Sequence, residues 1–523
     1  MLIANTRYFS RRNDLFNQRQ VGVTLGYVNV LAKNLVNLVY TPMLLSFVGQ
    51  ADYGVYQSCN SFVFSLTLLS FGFSQAYVRF YTQKRAHGND GDIRRLNGVY
   101  LTLYSVISVI ALIAGLLFAA NAGSIFSGGF TSEQIDIAGA TMSFMAANIS
   151  VTLFSSVFDA YVLAHEEFRF QQTRQLGTTL ATPFAAYALL SIGMGVVGVA
   201  AAQLAVSTVL LALNASFCIG RLDMRFDVRH FDTGLFRAIA AFSAWIFANQ
   251  VCELVNQNVP NVLLGALSGA VAVSVFAVSV QIRSVFYSLS TTMSNVFIPQ
   301  INRIVAETDD NAALTRLMAR IGRYQAVLYM WVLGGFAILG RFFISSWAGP
   351  GFGDAYWLIL AMATPLLIPL VQNTGIEIQR AKNRHRARSV CYLLTALLNL
   401  MLTALLAPNI GYWAPAIGYV AHVVLGTGLF MNWYYHFRIG LDMVYFWRRV
   451  APAVGAGVVS LLACLVGTSF MPIGSWLAFI GWGTVYTLIY MGLTLAFVLN
   501  GEERSLIAGK LHLLKTDSTE KGH

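Results

Sequence analysis

Charged residues are scarce in this chain: they make up 11% of its 523 residues, whereas 56% are hydrophobic and the mean hydropathy is +0.61. So few polar side chains cannot cover a domain of this size in water, which excludes a soluble globular protein. The apolar residues form long runs, and about 20 such residues are enough to cross a bilayer as a helix. The sequence predicts 14 spans, at 22–48, 54–78, 97–120, 137–163, 176–194, 196–218, 236–262, 268–298, 323–344, 355–378, 389–407, 412–434, 451–470 and 475–498.

Lysine and arginine are almost absent from every second loop between these spans. The loops 121–135, 260–267, 407–412 and 470–474 contain neither residue. All but three of the 34 Lys and Arg lie on the other side of the spans, the exceptions being Lys33, Arg283 and Arg341. This positive-inside pattern predicts a multi-pass membrane protein with both termini in the cytoplasm. The net charge of +11 is spread over separate loops, so it does not indicate a nucleic-acid groove.

The motifs of common enzymes are missing as well. Gly509-Lys510 is followed by Leu511 and has no upstream glycine, so it is not a phosphate-binding loop. The run from His165 to Glu167 continues with Phe168 and does not form a zinc-binding helix. The external connections 121–136 and 345–355 are too short to fold a catalytic domain. We therefore expect a protein that is not an enzyme and that needs no cofactor.

Cysteine is rare, and no cysteine spacing suggests a disulfide framework or a metal cage. The five cysteines lie in or beside apolar spans, as small buried residues do. We expect no metal site. Residues 1–20 are polar and basic without an apolar core, so we also expect no cleaved signal peptide.

An internal repeat with an offset of about 220 residues relates two halves of the chain. Asn29, Lys33, Asn37 and Gly49 stand opposite Asn249, Glu253, Gln257 and Gly269. Six spans in each half give both halves the same orientation, with a site between them at mid-depth. The predicted fold class is an all-α polytopic membrane protein: two six-helix lobes related by pseudo-two-fold symmetry, plus two extra C-terminal helices. The predicted segments are a cytoplasmic N-terminus 1–21, an N-lobe 22–218, a linker 219–235, a C-lobe 236–434, the extra helices in 451–498 and a cytoplasmic tail 499–523.

Polar side chains inside the predicted spans indicate a hydrophilic lumen. A charge at a helix centre costs about 2.5–3.5 kcal/mol on insertion scales, so such groups should face protein or water. Lys33 and Arg283 are candidate anchors for an anionic substrate, and Glu253 is a candidate counter-ion or carrier of H⁺ or Na⁺. The alternative is that Lys33 and Glu253, at matching positions in the two halves, form a buried structural pair. The neutral candidates for substrate binding are Asn29, Asn37, Asn60, Asn249, Gln257 and Gln281.

The segment from Phe47 to Tyr81 carries a resemblance to a known family. It contains a Tyr-Gly-x-Tyr motif followed by Leu-x-x-Gly-x-x-x-Ala-x-x-Arg, and these places are filled by Gly49, Tyr53, Gly54, Tyr56, Leu69, Gly72, Ala76 and Arg79. With its predicted spans and duplication, the chain resembles the polysaccharide biosynthesis, or oligosaccharide flippase, family. That family belongs to the multidrug/oligosaccharidyl-lipid/polysaccharide superfamily.

This resemblance implies a flippase in a bacterial inner membrane. Such a protein moves a polyprenyl-diphosphate-linked oligosaccharide to the outer leaflet by alternating access, alongside a polysaccharide polymerase and a chain-length regulator. The alternatives within the superfamily are an ion-coupled multidrug antiporter and a lipid II flippase. A non-transporting membrane scaffold and an integral glycosyltransferase are the alternatives from other classes.

Overall fold

The computed structural model describes residues 2–86, 90–228, 232–295, 297–384, 386–501 and 503–504. Throughout these ranges the regular structure is helical, and they contain no strand. Helices satisfy all their backbone hydrogen bonds internally, which is the condition for crossing hydrocarbon. The all-α fold class is therefore confirmed.

Nineteen α-helices follow one another within the described ranges. The first nine are α1 (Leu2–Phe64), α2 (Phe73–Ala86), α3 (Asp90–Ala120), α4 (Ala122–Phe126), α5 (Ser132–Ala164), α6 (Phe168–Ser191), α7 (Gly195–Gly220), α8 (Thr233–Gln257) and α9 (Val259–Leu267). The rest are α10 (Ala270–Asn295), α11 (Ile298–Glu307), α12 (Asn311–Trp347), α13 (Gly353–Val371), α14 (Asn373–Ala381), α15 (Arg386–Ile410), α16 (Trp413–Ala421), α17 (Asn432–Tyr434), α18 (Met443–Phe470) and α19 (Trp476–Leu493). Tighter 3₁₀ turns occur at Ser65–Ser70 and Pro350–Phe352, and wider π-helical turns at His422–Met431, Tyr435–Ile439 and Thr494–Val498.

The chain folds into two compact units. The first comprises Met1–Ala277 and Leu400–Pro415, and the second comprises Val278–Asn399 and Ala416–His523. In the first unit α5 packs against α3 and α7, and α1 packs against α6. In the second, α12 packs against α13 and α18. The predicted lobes, with their linker at 219–235 and their pseudo-symmetry, stay a prediction.

Eleven helical segments within the described ranges are long and apolar enough to cross a membrane. This establishes a multi-pass membrane protein but does not confirm the predicted count of 14. The predicted spans 22–48 and 54–78 belong to one continuous segment, Thr24–Ala86. The predicted spans 176–194 and 236–262 fall on α6 and α8–α9, which are not among the 11 segments. Polar residues such as Gln171, Gln172 and Gln175 lower the hydropathy of α6.

The motif segment from Gly49 to Arg79 acts through backbone geometry and packing. Gly49 has φ 76° and interrupts α1 between the two predicted spans, a conformation that glycine adopts without steric penalty. Gly72 has φ 69° in the turn before α2. Ala76 is fully buried, and the Arg79 guanidinium lies 4.6 Å from the centroid of the Phe242 ring. In the first unit these motif positions therefore support close helix packing.

A polar cluster anchors the C-terminal end of the second unit to α12. Buried Arg323 on α12 donates to the Val498 carbonyl and to the Glu503 carboxylate, which also accepts from the Tyr324 hydroxyl. Burial raises the pKa of Glu503, but hydrogen bonds from Tyr324 and Asn500 together with the Arg323 charge outweigh it, so the net pKa is lowered. The cluster fixes the residues that follow α19 against α12.

We predict that Gly54→Ala destabilises the protein. A Cβ at Gly54 would overlap the carbonyl oxygen of Ala270, a backbone atom that cannot rotate away. Overpacking of this kind typically costs about 1–3 kcal/mol. The measurement is thermal unfolding of the purified protein in detergent. Gly455→Ala is the matched control, because a Cβ there meets open space and should leave the melting temperature unchanged or raise it.

Candidate functional site

Arg283 on α10 is a buried cation held by an aromatic ring. Its side chain is 8% exposed, and its guanidinium lies 4.1 Å from the centroid of the Tyr419 ring. Its Nη1 also lies 3.8 Å from Sδ of Met362. In the ranges that the structure describes, no carboxylate forms an ion pair with Arg283. A cation–π contact is worth about 0.5–2 kcal/mol, which leaves much of the positive charge available to a ligand.

A cavity of about 70 Å³ adjoins this cation in the second unit, and Tyr419 is among its lining residues. The polar and aromatic lining includes Tyr287, Gln372, Arg388, Tyr392, Tyr419 and His422. Tyrosine rings and amide groups suit sugar rings and hydroxyls, whereas Arg388 adds a second positive charge.

His422 organises one wall of the cavity. Its Nδ1 lies 2.8 Å from Oγ1 of Thr395, and its ring stands edge-on to Tyr392 with centroids 4.6 Å apart. The Thr395 hydroxyl already donates to the Cys391 carbonyl, so Nδ1 is the donor in the contact with His422. His422 is also the first residue of the π-helical turn His422–Met431. Such turns are rare and occur often at functional sites, where the wider spacing shifts side chains toward a ligand.

Gln372 on the cavity wall has an acceptor that is still available. Its Nε2 donates to Oδ1 of Asn432 at 2.9 Å. Its buried Oε1 accepts no hydrogen bond from any described residue. A buried polar atom without a hydrogen-bond partner destabilises the protein. A ligand hydroxyl that donated to Oε1 would offset this cost.

The candidates on α1 in the first unit differ in their surroundings. Asn29 is buried and donates from Nδ2 to the Gln172 backbone oxygen at 2.8 Å and to its Oε1 at 2.7 Å. This is a helix–helix contact between α1 and α6. Lys33 and Asn37, one and two helical turns further on, are exposed, and Asn60 is half-buried. Their roles in substrate binding stay predictions.

The other candidates lie on α8 and α10. The side chains of Asn249, Glu253 and Gln257 on α8 lie outside the described residues, so the pairing of Lys33 with Glu253 and the coupling role of Glu253 also stay predictions. Gln281 is half-buried on α10, two residues before Arg283.

Several residues around the Arg283 cavity escaped the sequence reasoning. Arg388 was grouped with the basic loops, although in the structure it lines the cavity. The tyrosines at 392 and 419 resemble ordinary apolar residues of their spans, whereas Tyr287 stands among the polar residues of the span 268–298. Gln372 is a visible signal in the sequence, because it and Asn373 are two amides within the apolar run 355–378. The position of His422 deep in the predicted span 412–434 indicates a hydrogen-bonded core residue, and the structure shows its hydrogen bond with Thr395.

Comparison with known proteins supports the family resemblance. Residues 44–356 match the model of a family described as polysaccharide biosynthesis protein. The structure is similar to the lipid II flippase MurJ in an inward closed conformation, with a TM-score of 0.73 and 13% identity over 90% of this chain and 98% of that one. It is also similar to an inward-facing multidrug resistance MATE family transporter of the MOP superfamily (TM-score 0.58, 15% identity, 81% and 98% covered). A mutant of the Vibrio cholerae MATE transporter VcmN gives a TM-score of 0.53 at 11% identity, with 82% and 99% covered.

No curated protein matches the sequence. At identities of 11–15% the likeness to these structures shows the fold alone. The chain therefore has the fold of MOP-superfamily transporters.

We predict that Arg283→Met leaves the protein as stable as before or more stable. Replacing a buried charge that lacks a full partner with an apolar side chain of similar length is often neutral, or stabilising by about 1–4 kcal/mol. The measurement is again thermal unfolding in detergent. A clear fall in melting temperature would show that Arg283 is a structural anchor. The control is Arg323→Met, which breaks the buried contact with Glu503 and should lower the melting temperature.

Proposed function

The chain belongs to the polysaccharide biosynthesis protein family, and on that premise we propose that it is a flippase for a polyprenyl-diphosphate-linked oligosaccharide. It would carry this lipid from the cytoplasmic to the outer leaflet of a bacterial inner membrane, for the synthesis of a surface polysaccharide. Both termini would lie in the cytoplasm, as the distribution of Lys and Arg predicts. A polysaccharide polymerase and a chain-length regulator would act on the product.

Arg283 is the observation that carries this proposal. A cation inside a membrane-spanning bundle is costly, and such residues mark substrate or ion pathways by default. The absence of a carboxylate partner within the described ranges leaves Arg283 able to attract an anion. A diphosphate is such an anion, and charge-assisted hydrogen bonds from guanidinium groups to phosphate are strong. Arg388 and the tyrosines of the adjoining cavity supply further contacts for phosphate and sugar.

Transport by this site requires no covalent chemistry. The protein needs two conformations with different access, and a substrate that binds them differently. Movement of helices in the second unit would change access to the cavity beside Arg283. The π-helical turns at His422–Met431 and Tyr435–Ile439 are suited to this, because their backbone already departs from regular α geometry.

An ion-coupled drug antiporter of the same superfamily is the principal alternative, since the fold is shared with MATE transporters. The charge of the site argues against it. A cationic drug would be repelled by Arg283 and Arg388, whereas a diphosphate would be attracted. A lipid II flippase would share the diphosphate chemistry and differ in the glycan.

We predict that Arg283→Ala abolishes most export of the glycan. Loss of one charge-assisted hydrogen bond removes about 1.5–3 kcal/mol, which corresponds to at least about a tenfold reduction. In a strain that lacks the native gene, surface polysaccharide should fall while the lipid-linked intermediate accumulates inside. Arg283→Lys should retain part of the activity, because the charge is kept and only the planar geometry is lost.

The control for this experiment is Arg303→Ala, an exposed arginine on α11 in the same unit, which should leave export unchanged. Protein abundance in the membrane is measured for each variant. Normal surface polysaccharide in Arg283→Ala at normal abundance would contradict the proposed site. If expression of the native protein in this strain raised drug resistance and left surface glycan unchanged, the result would instead support the antiporter.

The sequence candidates on α1 and α8 give a separate prediction. If Lys33 binds substrate and Glu253 couples transport to an ion gradient, Lys33→Ala should reduce export at any gradient. Glu253→Gln should instead remove the dependence on the gradient. The measurement is lipid-linked glycan translocation in vesicles with and without an imposed H⁺ or Na⁺ gradient. If the two residues only form a structural pair, both variants should lose protein abundance and the double variant should recover it.

A further inference from the structure

The surface of α6 and α7 carries an apolar groove of about 440 Å³ in the first unit. Its walls include Gly177 and Ala181 from α6, and Ala205, Val209 and Leu213 from α7. Val209 and Leu213 are 60% and 51% exposed, so these side chains face outward. A Cβ added at Gly177 would meet nothing within 4 Å, so the groove is open at this position. The groove is therefore shaped to accept an apolar chain from the membrane.

A basic mouth adjoins one end of this groove. It is an opening of about 670 Å³ lined by Arg169, Arg221 and one acidic residue, Glu167. Phe170 and Thr173 line both openings, so the groove and the mouth are continuous. The mouth combines two cations with one carboxylate, which gives it a net positive charge.

The two arginines of the mouth are available, unlike a third arginine nearby. Arg169 and Arg221 are exposed and form no ion pair with a described residue. Arg174 at the groove wall is instead held by Asp159 and Asn214. The rings of Phe170 and Phe217 are stacked with centroids 3.7 Å apart, and the Arg221 guanidinium lies 5.9 Å from the Phe217 ring centroid. This rigid aromatic pair marks the boundary between the charged mouth and the apolar groove.

The length of the site matches one leaflet. From Arg169 to Ala181 the helix rises about 18 Å at 1.5 Å per residue. Half of a hydrocarbon core of about 30 Å is about 15 Å. A basic group at one end and an apolar channel of leaflet depth below it are complementary to an amphiphile with an anionic head. A soluble phosphate compound would leave the groove unfilled.

We propose that the groove between α6 and α7 binds an anionic phospholipid of the cytoplasmic leaflet. One acyl chain lies in the groove over Gly177, and the phosphate lies between Arg169 and Arg221. This lipid is a resident of the membrane and not the transported glycolipid, so the site is additional to the one around Arg283.

The test is native mass spectrometry of the full chain in detergent, titrated with phosphatidylglycerol and with phosphatidylcholine of the same acyl chains. The native protein should retain phosphatidylglycerol at least about tenfold more tightly than phosphatidylcholine, since two basic residues lie beside its phosphate. The double variant Arg169→Ala and Arg221→Ala should lose this preference. The double variant Arg169→Lys and Arg221→Lys should keep most of it. Gly177→Leu should weaken the binding of both lipids, because its side chain fills the groove.

Two matched variants separate the site from general surface charge and surface apolarity. Arg225→Ala removes an exposed arginine of the same loop that is paired with Asp223, and Gly481→Leu fills open space on α19. Both should retain phosphatidylglycerol like the native protein. Equal retention of phosphatidylglycerol by the native protein, the double alanine variant and Gly177→Leu would overturn the proposal. So would displacement of the lipid by excess inorganic phosphate together with normal binding in Gly177→Leu, because that result describes an anion site without a lipid groove.

Discussion

The structure depends on one constraint, the cost of leaving a polar group unsatisfied where water is absent. Helices satisfy the backbone, and the described ranges are helical throughout their regular structure. Side chains must meet the same condition through contacts between helices. Close packing then becomes necessary, and it explains why a glycine stands at position 54, where the backbone of Ala270 leaves no room for a Cβ.

Two other arginines whose side chains are largely withdrawn from solvent are paired. In the first unit, Arg174 is held by Asp159 and Asn214, and Asn214 also donates to Ser155 at 2.9 Å. In the second, Arg323 is held by Glu503 and a backbone carbonyl. Arg283 differs because its described partners are an aromatic ring and a thioether. This difference from Arg174 and Arg323 is the physical reason to assign function to Arg283.

The two sites that we propose handle phosphate in different ways. Around Arg283, positive charge is buried beside a cavity lined by tyrosines and amides. At the α6–α7 groove, positive charge is exposed and the apolar channel is already open. The first arrangement suits a cargo that must be bound and released in alternation. The second suits a lipid that stays in place.

The sequence by itself determined the fold class, the membrane location and the family, because hydropathy, loop charge and the Gly49–Arg79 motif are local properties of the chain. It also identified Arg283 as an intramembrane cation. The tertiary structure decided which residues surround that cation, since Tyr419 and Met362 are distant from it in sequence. It also decided that Asn29 contacts Gln172 and so joins α1 to α6, a contact that spacing along one helix does not reveal. The spacing of polar residues along the sequence describes the faces of one helix. A binding site is formed by several helices, and the contacts between them depend on packing that no single span encodes.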